Sequence, residues 1–181
     1  MTLDELLAGE GLSVTGGRED IRGLTLDSRK VEPGFVFAAL PGVKVHGRDF
    51  IPKALAAGAA VILTDEPVDA PVPVIAVDQP AALLARMAAR FYPRQPEHIV
   101  AITGTNGKSS TVEFLRQIWA GAGLEAACLG TLGVTRGDTV EVTGYTTPDA
   151  VALQAALDRL AGEGVTHLGM VASSHGLKQH R

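Results

Sequence analysis

The chain has 181 residues, with 20 acidic and 16 basic side chains and a net charge of −4. Hydrophobic residues make up 46% and aromatics only 4%, a composition that supplies a buried core and excludes global disorder. The acidic balance gives no electrostatic basis for binding nucleic acid, and the single cysteine, Cys128, excludes an internal disulfide framework.

The start, Met1 to Glu5, lacks the basic and apolar regions of a signal peptide. Thr2 and Glu5 have capping-box spacing for a short helix over Leu3 to Ala8. Ile21 to Leu26 alternates as a strand does, and a second apolar strand runs from Phe35 to Leu40 after the Pro33-Gly34 turn. A glycine-bearing polar loop, Pro41 to Asp49, leads to a helix over Phe50 to Ala57. Ala60 to Thr64 reads as a fully buried strand and Val74 to Val77 as another. Asp78 to Tyr92 reads as a helix with Leu83, Leu84 and Met87 on its inner face. The longest apolar run, Ala54 to Leu63, is broken by Gly58 and falls far short of the ~20 residues of a membrane span. The protein is therefore expected to be soluble and cytoplasmic, with no membrane partner; its oligomeric state is not readable.

Pro93 to Pro96 stiffens the chain and divides it, giving expected domains over 1–92 and 97–181 joined by a link at 93–96. Past the link, Ile99 to Ile102 reads as a buried strand. It breaks at Gly104 into Gly104, Thr105, Asn106, Gly107, Lys108, Ser109 and Ser110, and a helix with Val112, Leu115 and Trp119 inward follows at once. Ala126 to Leu129 reads as a strand, Val134 to Val142 as a hairpin-like segment, and His167 to Ala172 as a third strand with an unpaired sheet edge. The helix before it carries Leu153, Leu157 and Leu160, with Thr147 as N-cap, Pro148 at the first position and Asp149 in the first turn. That makes three strands and two helices after the link, a thin sheet. The whole is α/β: a small N-terminal α/β domain followed by the first part of a phosphate-loop α/β domain.

A strand, a glycine-rich turn and a helix start carrying Lys and Ser form a cradle for the polyphosphate of ATP or GTP. Gly104 and Gly107 let backbone N–H groups approach the phosphates, and the open first turn of the helix favours an anion. Lys108 would reach the outer phosphates, and the Ser109 hydroxyl would coordinate Mg²⁺. The longer form of the motif wants a glycine where Ile102 stands, so the loop is of a shorter type. Cys128 reads as a buried small hydrophobe, and Asp138, Glu141 and Glu163 as solvated charges.

These pieces resemble the Mur ligases, ATP-dependent amide ligases of peptidoglycan synthesis. The shortened loop Gly104 to Ser110 is similar to theirs. Three further stretches resemble the branch that adds the third residue of the stem peptide: Leu26 to Arg29, Thr146-Thr147, and Ser173 to Arg181. The resemblance implies a substrate, UDP-N-acetylmuramoyl-L-alanyl-D-glutamate, whose terminal carboxylate is phosphorylated by ATP and then attacked by a diamino acid, with meso-diaminopimelate the expected acceptor. By the same resemblance, Leu26 and Ser28 hold the uridine end, with the loop Val43 to Val45 nearby. Thr146, Thr147, Ser173, Gln179 and Arg181 contact the muramoyl-peptide, and Lys108 is the catalytic phosphate ligand. Read from the residues alone, Ser28 is equally a turn former, Thr147 a cap and Arg181 a solvated cation. His175 has no visible carboxylate partner for a general-base role.

Two departures stand out. Where the family carries a metal-binding Glu, this chain has Val171, so the Mg²⁺ site is expected to be impaired. The family also continues well past the position of Arg181, through the region that binds the incoming amino acid. The chain is thus expected to be inactive alone. The alternative is a non-catalytic nucleotide-sugar-binding remnant.

Overall fold

The computed structural model describes residues 1–12, 14, 20–42, 45–130, 133–141, 148–173 and 176. Two compact units form, Met1–Phe91 and Tyr92–Arg181. Among the described residues no helix is long and apolar enough to cross a membrane.

In the first unit, Thr2 and Glu5 cap helix α1 (Leu3–Leu6) reciprocally. The Glu5 N–H donates to the Thr2 hydroxyl at 3.3 Å, and the Thr2 N–H donates to the Glu5 carboxylate at 2.7 Å. Strands β1 (Gly23–Thr25), β2 (Phe35–Ala38), β3 (Val61–Thr64) and β4 (Val74–Ala76) form an all-parallel sheet in that order. Every residue of β3 is buried, as expected where a parallel sheet is covered on both faces. On one face Phe37 and Ile62 pack with Ile51 and Ala54 of α2 (Ile51–Ala56). A 3-10 turn over Gly47–Phe50 precedes α2. Helix α3 (Pro80–Phe91) buries Leu83, Leu84, Met87 and Ala88, and its polar face reaches back to α1. There Glu10 accepts from Arg86 at 2.8 Å and from Arg90 at 2.6 Å. These guanidinium hydrogen bonds, Arg86 foremost, hold the Glu10 carboxyl down at about 2.

The second unit is a five-stranded sheet in the order β5-β9-β6-β7-β8. Its strands are β5 (His98–Ile102), β6 (Ala126–Gly130), β7 (Gly133–Arg136), β8 (Thr139–Glu141) and β9 (His167–Val171). The first three in space are parallel; β7 and β8 join antiparallel. Helix α5 (Ala150–Gly162) lays Leu153, Leu157 and Leu160 on Ala127, Leu129 and Leu168. Helix α4 (Lys108–Gly121) covers the other face, with Val112 against Cys128 and Val171.

The structure departs from the sequence expectations at α5 and in the second sheet. The cap of α5 is Asp149, whose carboxylate accepts the Ala152 N–H at 2.9 Å, so Pro148 lies before the helix. Aspartate is the stronger capping residue of the two, and the expected cap Thr147 lies outside the described residues. The strand at His167 is not an edge: β9 lies between β5 and β6. The edges are instead β5 and β8; in β5, expected as a buried strand, Ile99 and Val100 are each 36% exposed because only β9 flanks it. The hairpin extends the sheet from three strands to five. Glu141 and Glu163 are not merely solvated: Arg159 pairs with both, at 2.6 Å and 3.0 Å.

Candidate functional site

Strand β5 ends at Ile102, and α4 begins at Lys108. Between them the turn brings Gly104, Thr105, Asn106, Gly107, Lys108, Ser109 and Ser110 together on the surface, all exposed except the half-buried Lys108. Gly107 is the N-cap residue with φ +78°, in the left-handed region that a Cβ penalises. No side chain caps this helix end, so its first N–H groups and positive dipole end face the loop. The first helical bond runs from the Thr111 N–H to the Gly107 carbonyl at 2.9 Å, and the Thr111 hydroxyl donates to the same oxygen at 2.9 Å. Lys108 folds back over the loop, its Nζ donating to the Gly104 carbonyl at 2.6 Å and the Thr105 carbonyl at 3.3 Å. A cation, open helix N–H groups and a glycine turn meet on one exposed surface, an arrangement that suits a polyphosphate. Ile102 is explained by packing: it lies against the buried cluster of Val112, Cys128 and Val171.

Position 171 is the last rung of β9, paired with Ile102, the last rung before the loop. Its Val side chain is fully buried in that apolar cluster and offers no oxygen. Among the described residues no group of three His, Cys, Asp or Glu side chains is placed to hold a metal. Ser109 alone does not make a Mg²⁺ site, which draws on carboxylates, so the described residues do not fit a protein-held ion. Nearby, the Cys128 thiol points to the Glu113 carboxylate at 3.3 Å, and burial pushes its pKa up. Arg116 holds Glu113 at about 2. This is a buried, unreactive thiol.

In the first unit, Ser28 is 8% exposed and Leu26 half-buried, both in the turn that follows β1. Asp27 shapes that turn: its carboxylate accepts the Arg29 N–H at 3.0 Å and the Arg29 guanidinium at 2.7 Å, and this grip holds Asp27 at about 2. Ser173, two residues past β9, accepts the Gly176 N–H on its hydroxyl at 3.0 Å. Thr146, Thr147, His175, Gln179 and Arg181 lie outside the described residues, as do Val43 and Lys44 of the second loop. Sequence reasoning missed His46, Arg48 and Asp65, which cluster at the ends of β2 and β3. The available signal was that each follows a parallel strand, where α/β ligands bind.

Two family models match the chain in order. One is described as the Mur ligase family, catalytic domain, over residues 20–92, and the other as the Mur ligase middle domain, over residues 102–181. Among curated relatives, the UDP-N-acetylmuramoyl-L-alanyl-D-glutamate--2,6-diaminopimelate ligase of Brucella melitensis biotype 1 is 49% identical over 98% of this chain and 36% of its own length. The ligase of the same name from Rhizobium meliloti is 49% identical over 90% of this chain and 34% of its own. A solved structure of a ligase with that name superposes with a TM-score of 0.83 at 29% identity, covering 99% of this chain and 37% of that one. The chain therefore spans about a third of the length of the relatives it matches. With both domain models matched along it in sequence order, the chain belongs to the Mur ligase family.

Proposed function

We propose that this chain carries the nucleotide-sugar and ATP ends of an amide ligase of peptidoglycan synthesis, one that adds 2,6-diaminopimelate to UDP-N-acetylmuramoyl-L-alanyl-D-glutamate in the cytoplasm. The names of the relatives at 49% identity support the reaction and its substrates. Residues 1–92 form the UDP-sugar domain, 93–96 the link and 97–181 the ATP domain. The observation that carries the reading is the uncapped α4 N-terminus with Lys108 folded over the Gly104–Ser110 turn. In the proposed reaction a carboxylate oxygen of the substrate bonds to the γ-phosphorus as ADP leaves. The amine of the diamino acid then attacks the acyl carbon, loses a proton and expels phosphate. Lys108 and the α4 N–H groups offset charge on the transferring phosphoryl group. Leu26 and Ser28 hold the uridine end, and Thr146, Thr147, Ser173, Gln179 and Arg181 the muramoyl-peptide. No step is assigned to Mg²⁺, which the described residues do not fit.

Val171 favours a second reading for this chain: binding of both nucleotides without turnover. The test adds ATP, UDP-N-acetylmuramoyl-dipeptide and diaminopimelate to the 181-residue chain and to Lys108→Ala. Both nucleotides are expected to bind, no tripeptide to form, and Lys108→Ala to weaken ATP binding by about tenfold or more, the scale of one charge-assisted hydrogen bond. Unchanged ATP affinity in Lys108→Ala would overturn the loop assignment, and tripeptide from the unaltered chain would overturn the second reading.

A further inference from the structure

Strands β1, β2 and β3 are parallel neighbours, so their carboxyl ends lie along one edge of the first unit. Ser28 sits in the turn after β1, His46 follows β2, and Asp65 directly follows β3. The chain after β2 is held tightly at this edge. A bridge between Pro41 and His46 closes the loop, and the Gly47 N–H donates to the Leu40 carbonyl at 2.9 Å. Gly47 presses so closely on the end of β2 that a Cβ there would stand 2.5 Å from the Ala39 carbonyl carbon.

His46 is the hinge of this arrangement. Its Nδ1 caps the 3-10 turn, accepting the Arg48 N–H at 3.1 Å, and the Arg48 Nε lies at 3.3 Å from the same atom. Two donors converging on Nδ1 require a lone pair there, which places the proton on Nε2. That Nε2–H is 3.2 Å from the Asp65 carboxylate. Burial works against the Asp65 charge, but hydrogen bonds from its own N–H, from His46 and from the Thr64 hydroxyl keep the carboxyl below its usual range. Arg48 is itself paired with Glu66 and lies near Asp49.

We propose that His46 is a positioning residue for the nucleotide-sugar site: as the Nε2–H tautomer it ties the loop after β2 to Asp65 at the end of β3, in line with Ser28. The proposal rests on the reading of the first unit as the UDP-sugar domain, and uridine diphosphate is the probe. Heteronuclear NMR on the 181-residue chain reads the His46 tautomer from its ring nitrogens and follows backbone amides during titration. The expected result is the Nε2–H form, with Ser28, His46 and Gly47 amides shifting together on titration. His46→Asn keeps a capping acceptor but cannot reach Asp65, and it should lose about tenfold in affinity at near-native stability.

An Nδ1–H tautomer overturns the proposal without any variant. So do shifts at Ser28 with none at His46 or Gly47, and so does His46→Asn affinity equal to that of the unaltered chain, whatever its stability. Absence of uridine diphosphate binding by the unaltered chain overturns the UDP-sugar reading itself, and the role of His46 with it.

Discussion

Position 171 offers the sharpest test of the proposed ATP site. Val171 is fully buried between α4 and the sheet, on the rung that pairs with Ile102. Burying such a side chain contributes about 1.5–3 kcal/mol. Val171→Glu removes that contribution and places a carboxyl among Val112, Cys128 and Ile102, where an unpaired polar group costs a further ~1–3 kcal/mol. The variant should therefore be roughly 2.5–6 kcal/mol less stable without ligand. Position 171 also lies one strand spacing, about 4.8 Å, from Ile102, the last strand residue ahead of the glycine loop. A Glu there faces α4, the side on which the loop's lysine and serines begin the helix. If it serves as a metal ligand, Mg²⁺-ATP at a hundred times its Kd restores ~2.7 kcal/mol. Urea unfolding of both chains, with ATP alone and with Mg²⁺-ATP, measures the two terms. The expected outcome is a variant weaker in every condition but with the larger gain from Mg²⁺. Equal Mg²⁺ gains in the two chains would refute the reasoning about the missing carboxylate. An unchanged stability without ligand would refute the packing argument.

Two further outcomes follow from the ion pairs and caps. Glu10 is held at about 2 by Arg86 and Arg90, well below an ordinary glutamate near 4.3, so its contribution is complete above the ordinary value and disappears as pH falls through the folded one. Acid unfolding of the unaltered chain should therefore steepen between pH ~4.3 and ~2, and Glu10→Gln should remove that part of the slope; an identical slope would show that the grip does not form. Asp149→Ala should cost about 1 kcal/mol by loss of the α5 cap, whereas Asp149→Asn should cost only a few tenths, read from denaturant midpoints.

What could be read along the chain was what depends on neighbours in sequence. Thr2 and Glu5 cap α1 because they stand three positions apart, and the loop from Gly104 to Ser110 follows from consecutive residue types. The apolar stripe of α5 followed from helical spacing. What escaped was set by distant partners. Sheet order is one example: nothing local to His167–Val171 says that β5 and β6 flank it. The exposure of Ile99 and Val100 followed from that order rather than from their own apolar character. The His46–Asp65 contact spans nineteen residues and needs both strands in place before it exists. The start of α5 was set by the reach of the Asp149 carboxylate to the Ala152 N–H, a geometric matter of one turn.

The edge position of β5 has a consequence for how the loop is held. The strand leading into the phosphate turn is tethered to the sheet along one side only, by its ladder to β9. Releasing that single ladder is the least costly opening of the parallel part of the sheet, so the amides of His98 to Ile102 should exchange with solvent sooner than those of β9 or β6. A polyphosphate seated on the α4 N-terminus would grip the end of the same strand. Slower exchange in β5 then becomes a direct thermodynamic report of occupancy, and a change that leaves β5 largely open must cut affinity in proportion to the closed fraction that remains.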